Sequence, residues 1–279
     1  MTSPHDVLAV LTRAYDGYVD TFRGVDGCLP AMMELKLVHT RRVVESARAI
    51  ADGEGFSFDQ REAVLAAALL HDTGRYEQLR RYDTFKDSDS VDHAVFSHAI
   101  VVEKGWLDTV EPQGDPVRWK EAVLKAILYH NRRDLPEEMD PLTEVTAHAV
   151  RDADKLDIFR VLEDQVAHTD WRNDSRAFWN LSVSGAPNPA VVSAIEERRP
   201  VDYQNIRSLA DFVLIQVGWM ISGLHFATSR RLCRDRGHLA YRRDFLRQIT
   251  DSADVDRLCD MAECALSIPT ARFLHGSLT

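Results

Sequence analysis

Apolar residues in this chain recur at three- and four-residue steps, segment after segment, and almost never alternate. The segments "AMMELKLVHTRRVVESARAIA" (31–51), "DQREAVLAAALLHD" (59–72), "WKEAVLKAILYH" (119–130) and "TEVTAHAVRDADKLDIFRVLE" (143–163) all carry that spacing. It is the spacing of one face of a 3.6-residue helix, whereas a half-buried strand needs a period of two. The chain is therefore predicted to be all-α. Breakers punctuate it: Gly53 and Gly55 after the first segment, Gly74 after the second, and Pro136 and Pro141 around the loop before the fourth. Between about 168 and 202 the composition changes, with "SVSGAPNP" and "ERRP" marking loops, and about three further helices run to near Ser267. The expected organisation is a helical core over 1–167 with a helical extension over 168–279 packed on it, without internal repeats.

At 279 residues and 45% hydrophobic content the chain can bury a sizeable core. A net charge of -10 argues against nucleic-acid binding through bulk positive potential. The exception is 228–247, with seven arginines against two aspartates, where helical surface charge paired with the acidic remainder is expected. The start, "MTSPHDVLAVLTRAYDGY", has no basic region followed by a long apolar one, so no signal peptide is read. The apolar run 209–224 is broken by Asp211 and Gln216 and is short for a bilayer span, which makes it a buried core helix and gives no membrane partner. Cys28, Cys233, Cys259 and Cys264 lack CxxC spacing and read as reduced thiols of a cytoplasmic protein. A homo-oligomer is left open.

Against this background "ALLHDTGR" (68–75) ends an apolar run in two ionisable side chains, which costs free energy unless something compensates them. The other helices repeat the pattern. The stripes read Leu35, His39, Val43, Ile50; then Ala63, Ala67, His71; then Val123, Ile127, His130; then Ala147, Val150, Asp154, Ile158, Val161. A lone histidine on such a stripe is ordinarily a core residue bonded to a carbonyl. Four helices that each turn one ligand-type residue inward imply a divalent cation, which removes the burial penalty for all of them at once. Imidazole with carboxylate suits manganese, iron, zinc, nickel or cobalt.

The order His39, then the doublet His71-Asp72, then Asp154 within "RDADKLDIF" resembles the HD-domain metal-dependent phosphohydrolase superfamily, over about residues 31–165. The strings "LLHDTGRYEQLRRYDTFKDSDSVDHA" and "YHNRR" are similar to a bacterial subgroup of HD hydrolases. The resemblance implies that His39, His71, Asp72 and Asp154 hold a primary metal, with Asp72 able to bridge to a second. It also implies that His93 and His130 are the additional ligands of a two-metal centre. His98, five residues after His93, points about 140° away from it on a regular helix and is set aside. His5, His148, His168, His225, His238 and His275 are left as surface or packing residues. Asp157 is read as a residue behind the ligands or a partner of Lys155, and Asp152 as solvated.

A metal there would lower the pKa of a bound water and neutralise a phosphate oxygen, so phosphoester hydrolysis is the expected chemistry. Asp72, Arg75 and Lys155 are the candidate catalytic residues. Arg75, Arg80, Arg81 and Arg132 are the candidate substrate-binding residues, since a guanidinium meets phosphate with two parallel hydrogen bonds. Lys86 and Arg133 are nearby cations. The string "RRYDTFKDSD" is expected to loop over the site mouth with Tyr76, Tyr82 and Phe85 free to stack a base. The leading substrate is a small phosphorylated metabolite, a nucleotide above all, with an alarmone or a cyclic nucleotide second. From other classes stand a regulatory module that binds metal or nucleotide without turnover, and a di-iron oxygenase of HD type.

Overall fold

A computed structural model describes residues 6–173, 178 and 181–268. His5 and His275 lie outside the described residues. The chain is all-α: the described residues form helices and turns, with one isolated bridge between Ser182 and Ser208 and no strand. It divides into two compact units, Met1–Ile158 and Phe159–Thr279.

The first unit holds α1 (Val7–Asp20), α2 (Ala31–Glu54), α3 (Phe58–Leu70), α4 (Gly74–Tyr82), α5 (His93–Lys104) and α6 (Pro116–Tyr129). It also holds most of α7 (Pro141–His168), so the division falls inside that helix at Ile158 rather than near residue 167. Local chemistry sets the ends. Asp92 and Asp115 accept the first free N–H groups of α5 and α6, and α2 stops where Gly55 takes φ 68°, a left-handed value that suits glycine. Gly53, read as a stop, lies within α2.

Helix α3 is the centre of this unit. Every residue from Ala63 to Leu70 is buried, and α1, α2 and α6 pack around it. Its run of alanines lets those neighbours approach closely enough to enclose it. Helix α7 is likewise buried on more than one side, at Thr146, Ala147, Ala149, Val150, Asp152, Ala153, Leu156 and Asp157. Asp152, read as solvated, is therefore buried, because a helix enclosed on several faces has no single inward stripe. On α2 the buried series runs Met33, His39, Thr40, Val43, Ala47, Ile50, and Leu35 is 43% exposed, so the stripe lies to one side of the predicted one.

The second unit contains α8 (Pro189–Glu196), α9 (Leu209–Gly218), which continues into a π-turn Trp219–Gly223, α10 (Ala227–Asp235), α11 (His238–Ile249) and α12 (Ala253–Ser267). Most of the apolar run 209–224 is buried, and no described helix is long and apolar enough to cross a membrane. The arginine-rich stretch is split in its behaviour. Arg243 meets Asp260 and Glu263, and Arg247 meets Asp256, as surface pairs. Arg242 instead is fully buried and donates to Gln216 Oε1, Glu163 Oε1 and the carbonyls of Phe159 and His238. His238 is buried beside it, its Nδ1 2.7 Å from Glu163. The four cysteines are free.

Candidate metal centre

The turn between α3 and α4 is tighter than the sequence implied. Helix α3 ends at Leu70, and Thr73 ties its N–H and hydroxyl back to the Leu70 carbonyl at 3.2 and 2.8 Å. Gly74 opens α4 instead of closing α3. Its N–H donates to Ser97 Oγ at 2.8 Å, and a Cβ there would lie 2.7 Å from Ser97 N and 3.0 Å from the His93 carbonyl oxygen. Only glycine lets α4 lie this close to α5, and that approach brings the His71-Asp72 turn next to His93.

Six predicted residues converge. His39 lies within α2, His71 and Asp72 in the turn, His93 at the start of α5, His130 just past the end of α6, and Asp154 on α7. All are buried except Asp154, whose side chain is 17% exposed and opens the site to solvent. Each imidazole is oriented from behind. Nδ1 of His71 donates to the Ala68 carbonyl at 2.8 Å and Nδ1 of His130 to the Ile127 carbonyl at 2.7 Å, the same three-residue back-bond at two helix ends. Nδ1 of His39 donates to Asp157 Oδ2 at 2.7 Å, and Nδ1 of His93 to Asp87 Oδ2 at 2.5 Å. A carbonyl or carboxylate oxygen can only accept, so in the neutral ring every Nε2 carries a lone pair.

Those lone pairs face one another and the two oxygens of Asp72. On one side, Asp72 Oδ2 is 3.6 Å from His39 Nε2 and 3.7 Å from His71 Nε2, and Asp154 Oδ1 is 3.2 and 3.9 Å from the same two atoms. On the other, Asp72 Oδ1 is 3.6 Å from His93 Nε2 and 3.7 Å from His130 Nε2. The rings approach to 3.4 Å between His39 and His71 Nε2 and to 3.0 Å between His93 and His130 Nε2. Two ligands bound about 2.1 Å from one ion stand about 3.0 to 3.4 Å apart, so the closest of these separations already match a shared ion. Asp72 Oδ1 is also buried without a hydrogen-bond partner, an acceptor that protein interiors seldom leave unused. The donor set and its geometry fit a divalent cation.

Electrostatics favour ligation at two of the rings: burial drives the His71 imidazole down to about 4 and lowers His93 as well, which keeps both neutral, whereas at His39 burial and the Lys36 charge are outweighed by the bonds to Asp154 and Asp157, which raise it. Burial alone would raise Asp72 and Asp154. Lys36, His71, His130 and Arg75 hold Asp72 well below the usual carboxylate range, and His39, His71 and His130 do the same for Asp154. Burial also acts upward on Asp87, but the bond from His93 and the Arg75 charge bring it down to about 2.

Residues 37–158 match the family model of the HD domain. This part of the chain is an HD domain. The match ends at the residue where the first compact unit ends. HD domains bind divalent metals and are generally phosphohydrolases, which agrees with a metal-dependent hydrolase and with the buried His and Asp groups described above. No curated protein and no solved structure matches the chain.

The other candidates divide. Arg75 stays at the HD site: its Nε is 3.6 Å from Asp72 Oδ1, and its NH1 donates to Gln78 Oε1, the Phe85 carbonyl and Asp87 Oδ1 at 2.8, 2.6 and 3.0 Å. Arg80 and Arg81 do not join it. Both pair with Glu77 on their own helix, and their guanidinium groups lie over Phe22 and Phe96. Arg132 pairs with Asp92 at 3.4 Å, Lys86 with Asp89, and Arg133 with Asp134. Lys155 donates to the Arg151 carbonyl one turn back at 3.4 Å, and burial with the Arg151 charge lowers it to about 8. It pairs with no carboxylate of the cluster, since the next residue on a helix points about 100° away. His98, five residues on from His93 in α5, is half-buried and lies outside this cluster.

Tyr76, expected to be free for a base, is buried and shares a 2.8 Å hydrogen bond with Tyr15 inside an aromatic cluster that includes Tyr18 and Phe22. Phe85 is partly exposed, with Lys36 Nζ 5.5 Å and Arg75 Cζ 5.7 Å from its ring centre. Lys36 and Asp87 are the residues that sequence reasoning missed. Lys36 stands three residues before His39 on the buried side of α2, and its Nζ donates to Asp72 Oδ2 at 2.8 Å. Its signal was available, because 33, 36, 39/40, 43 is the spacing of the stripe that α2 does bury. Asp87 comes from a polar loop with no periodicity to expose it.

Proposed function

We propose that this HD domain is a metal-dependent phosphohydrolase that cleaves a phosphoester of a small phosphorylated metabolite, a nucleotide being the preferred class. The convergence of four Nε2 lone pairs on the two oxygens of one buried aspartate carries the reading. His39, His71 and Asp154 with Asp72 Oδ2 form one ligand set, and His93 and His130 with Asp72 Oδ1 form a second, so Asp72 is suited to bridge two ions. A divalent cation bound there would supply a hydroxide nucleophile near neutral pH and neutralise a phosphoryl oxygen. The chain's own part is orientation. Asp157, Asp87 and the two carbonyls hold the four rings in the ligating tautomer, and Arg75, pinned by three acceptors, presents a fixed cation beside Asp72. The Phe85 ring next to these groups favours a substrate with a planar base.

Metal analysis of protein purified without added metal, joined to a phosphoester screen over manganese, iron, cobalt, nickel and zinc, tests this. Wild type is expected to carry a divalent metal and to hydrolyse a phosphoester, and Asp72→Ala to lose both. No turnover with any metal overturns the phosphohydrolase, and a variant that keeps metal and activity overturns the ligand assignment.

A further inference from the structure

Two cations flank Asp72, and they are held very differently. Arg75, beside Oδ1, is locked by three acceptors through one nitrogen. Lys36, on Oδ2, has one side-chain hydrogen bond, to that oxygen, and its side chain is 16% exposed, so the ammonium stands between the buried ligands and solvent. Its stem is flexible and its charge compact, which lets it change partner by rotating a few bonds. Phe85 gives it a second resting place, since the ring already faces both cations.

Oδ2 is also the oxygen that faces His39 and His71. An ammonium 2.8 Å from it opposes a second cation on the same atom, even though a lone pair is left, because two positive charges would lie a few ångströms apart in a poorly solvated place. Resting on the metal-centre reading above, we propose that Lys36 is a mobile phosphate-binding residue: it competes with a divalent ion for Asp72 Oδ2, and once displaced it takes a non-bridging oxygen of the substrate's phosphate. Metal and phosphate binding are then coupled through one side chain, and the coupling is reciprocal.

Calorimetric titration of the full chain with Mn²⁺, with and without inorganic phosphate, tests it on wild type, Lys36→Met and Lys36→Arg. Methionine keeps the apolar stem and removes the charge. Lys36→Met is expected to bind Mn²⁺ about tenfold more tightly than wild type, within the usual range of such couplings. Phosphate is expected to tighten Mn²⁺ binding in wild type and to do so far less in Lys36→Met, while Lys36→Arg restores the weaker metal binding. A purely structural lysine predicts the opposite sign for the metal, and Lys36→Met binding Mn²⁺ as weakly as wild type, or more weakly, overturns the inference alone. An undiminished phosphate effect in Lys36→Met also overturns it. Wild type that binds no Mn²⁺ overturns the metal centre and this inference with it.

Discussion

Gly74→Ala puts the closest approach in the site under direct test. The added Cβ would lie 2.7 Å from Ser97 N and 3.0 Å from the His93 carbonyl oxygen, about 0.7 and about 0.4 Å short of an ordinary 3.4 Å contact, and both obstructing atoms are backbone. They cannot rotate away, so α4 and α5 must separate. Forcing a group into a packed interior costs about 1–3 kcal/mol, and the better helix propensity of alanine returns at most about 1 kcal/mol. A net loss of about 1–2 kcal/mol is expected. The functional effect is larger in proportion, because a metal site tolerates ligand displacements of only about 0.2 Å and the separation carries Asp72 away from His93. Urea unfolding in EDTA, followed by far-UV circular dichroism, measures the first effect, and Mn²⁺ stoichiometry measures the second. Gly17→Ala is the control. Gly17 lies within α1, and a Cβ there meets nothing within 4 Å, so that variant should gain up to about 1 kcal/mol. If Gly74→Ala is as stable as its parent, or gains stability as Gly17→Ala does, the close-approach argument is wrong.

Three further predictions follow from the contacts. Burial sets His71 at about 4 in the folded chain against about 6.5 unfolded, so its stability contribution is complete above pH 6.5 and is lost as pH falls toward 4. In EDTA, His71→Asn, whose amide can replace Nδ1 on the Ala68 carbonyl, should flatten that pH dependence by about 3 kcal/mol in denaturant titrations, and an unchanged slope refutes the assignment. Asp157→Asn replaces the anionic acceptor that holds the His39 ring at 2.7 Å with a neutral amide and should weaken Mn²⁺ binding by about 10- to 100-fold in calorimetry with little change in folding; unaltered affinity would remove Asp157 from the site. In the second unit, Arg242→Met leaves Glu163 without its buried guanidinium and should cost about 3 kcal/mol, read as a lowered urea midpoint with the metal stoichiometry intact.

Much of this protein was legible because helices advertise themselves locally. The 3.6-residue period of the apolar residues determined the all-α class, and it placed His39, His71, His130 and Asp154 where an inward face would carry them. The resemblance to HD domains then singled out Asp72 and His93. Period alone failed where a helix is enclosed on more than one side, as for Asp152 on α7, and where the buried stripe ran beside the assumed one, which exposed Leu35 and left Lys36 unnoticed. It also could not say whether Gly74 ends one helix or opens the next, since glycine serves both, and the choice rests on how closely α5 approaches. Arg80 and Arg81 pair with Glu77 one turn back on the same helix, a spacing present in the sequence itself. Other partners were decided only by tertiary structure: Tyr76 turned to Tyr15 and Lys36 to Asp72, because such a partner depends on which distant segment the fold brings within 3 Å. Sequence determined which residue types face inward. The fold determined which of them meet, and at Asp72 that meeting of two histidine pairs on two oxygens gives the cluster a geometry that fits a divalent cation.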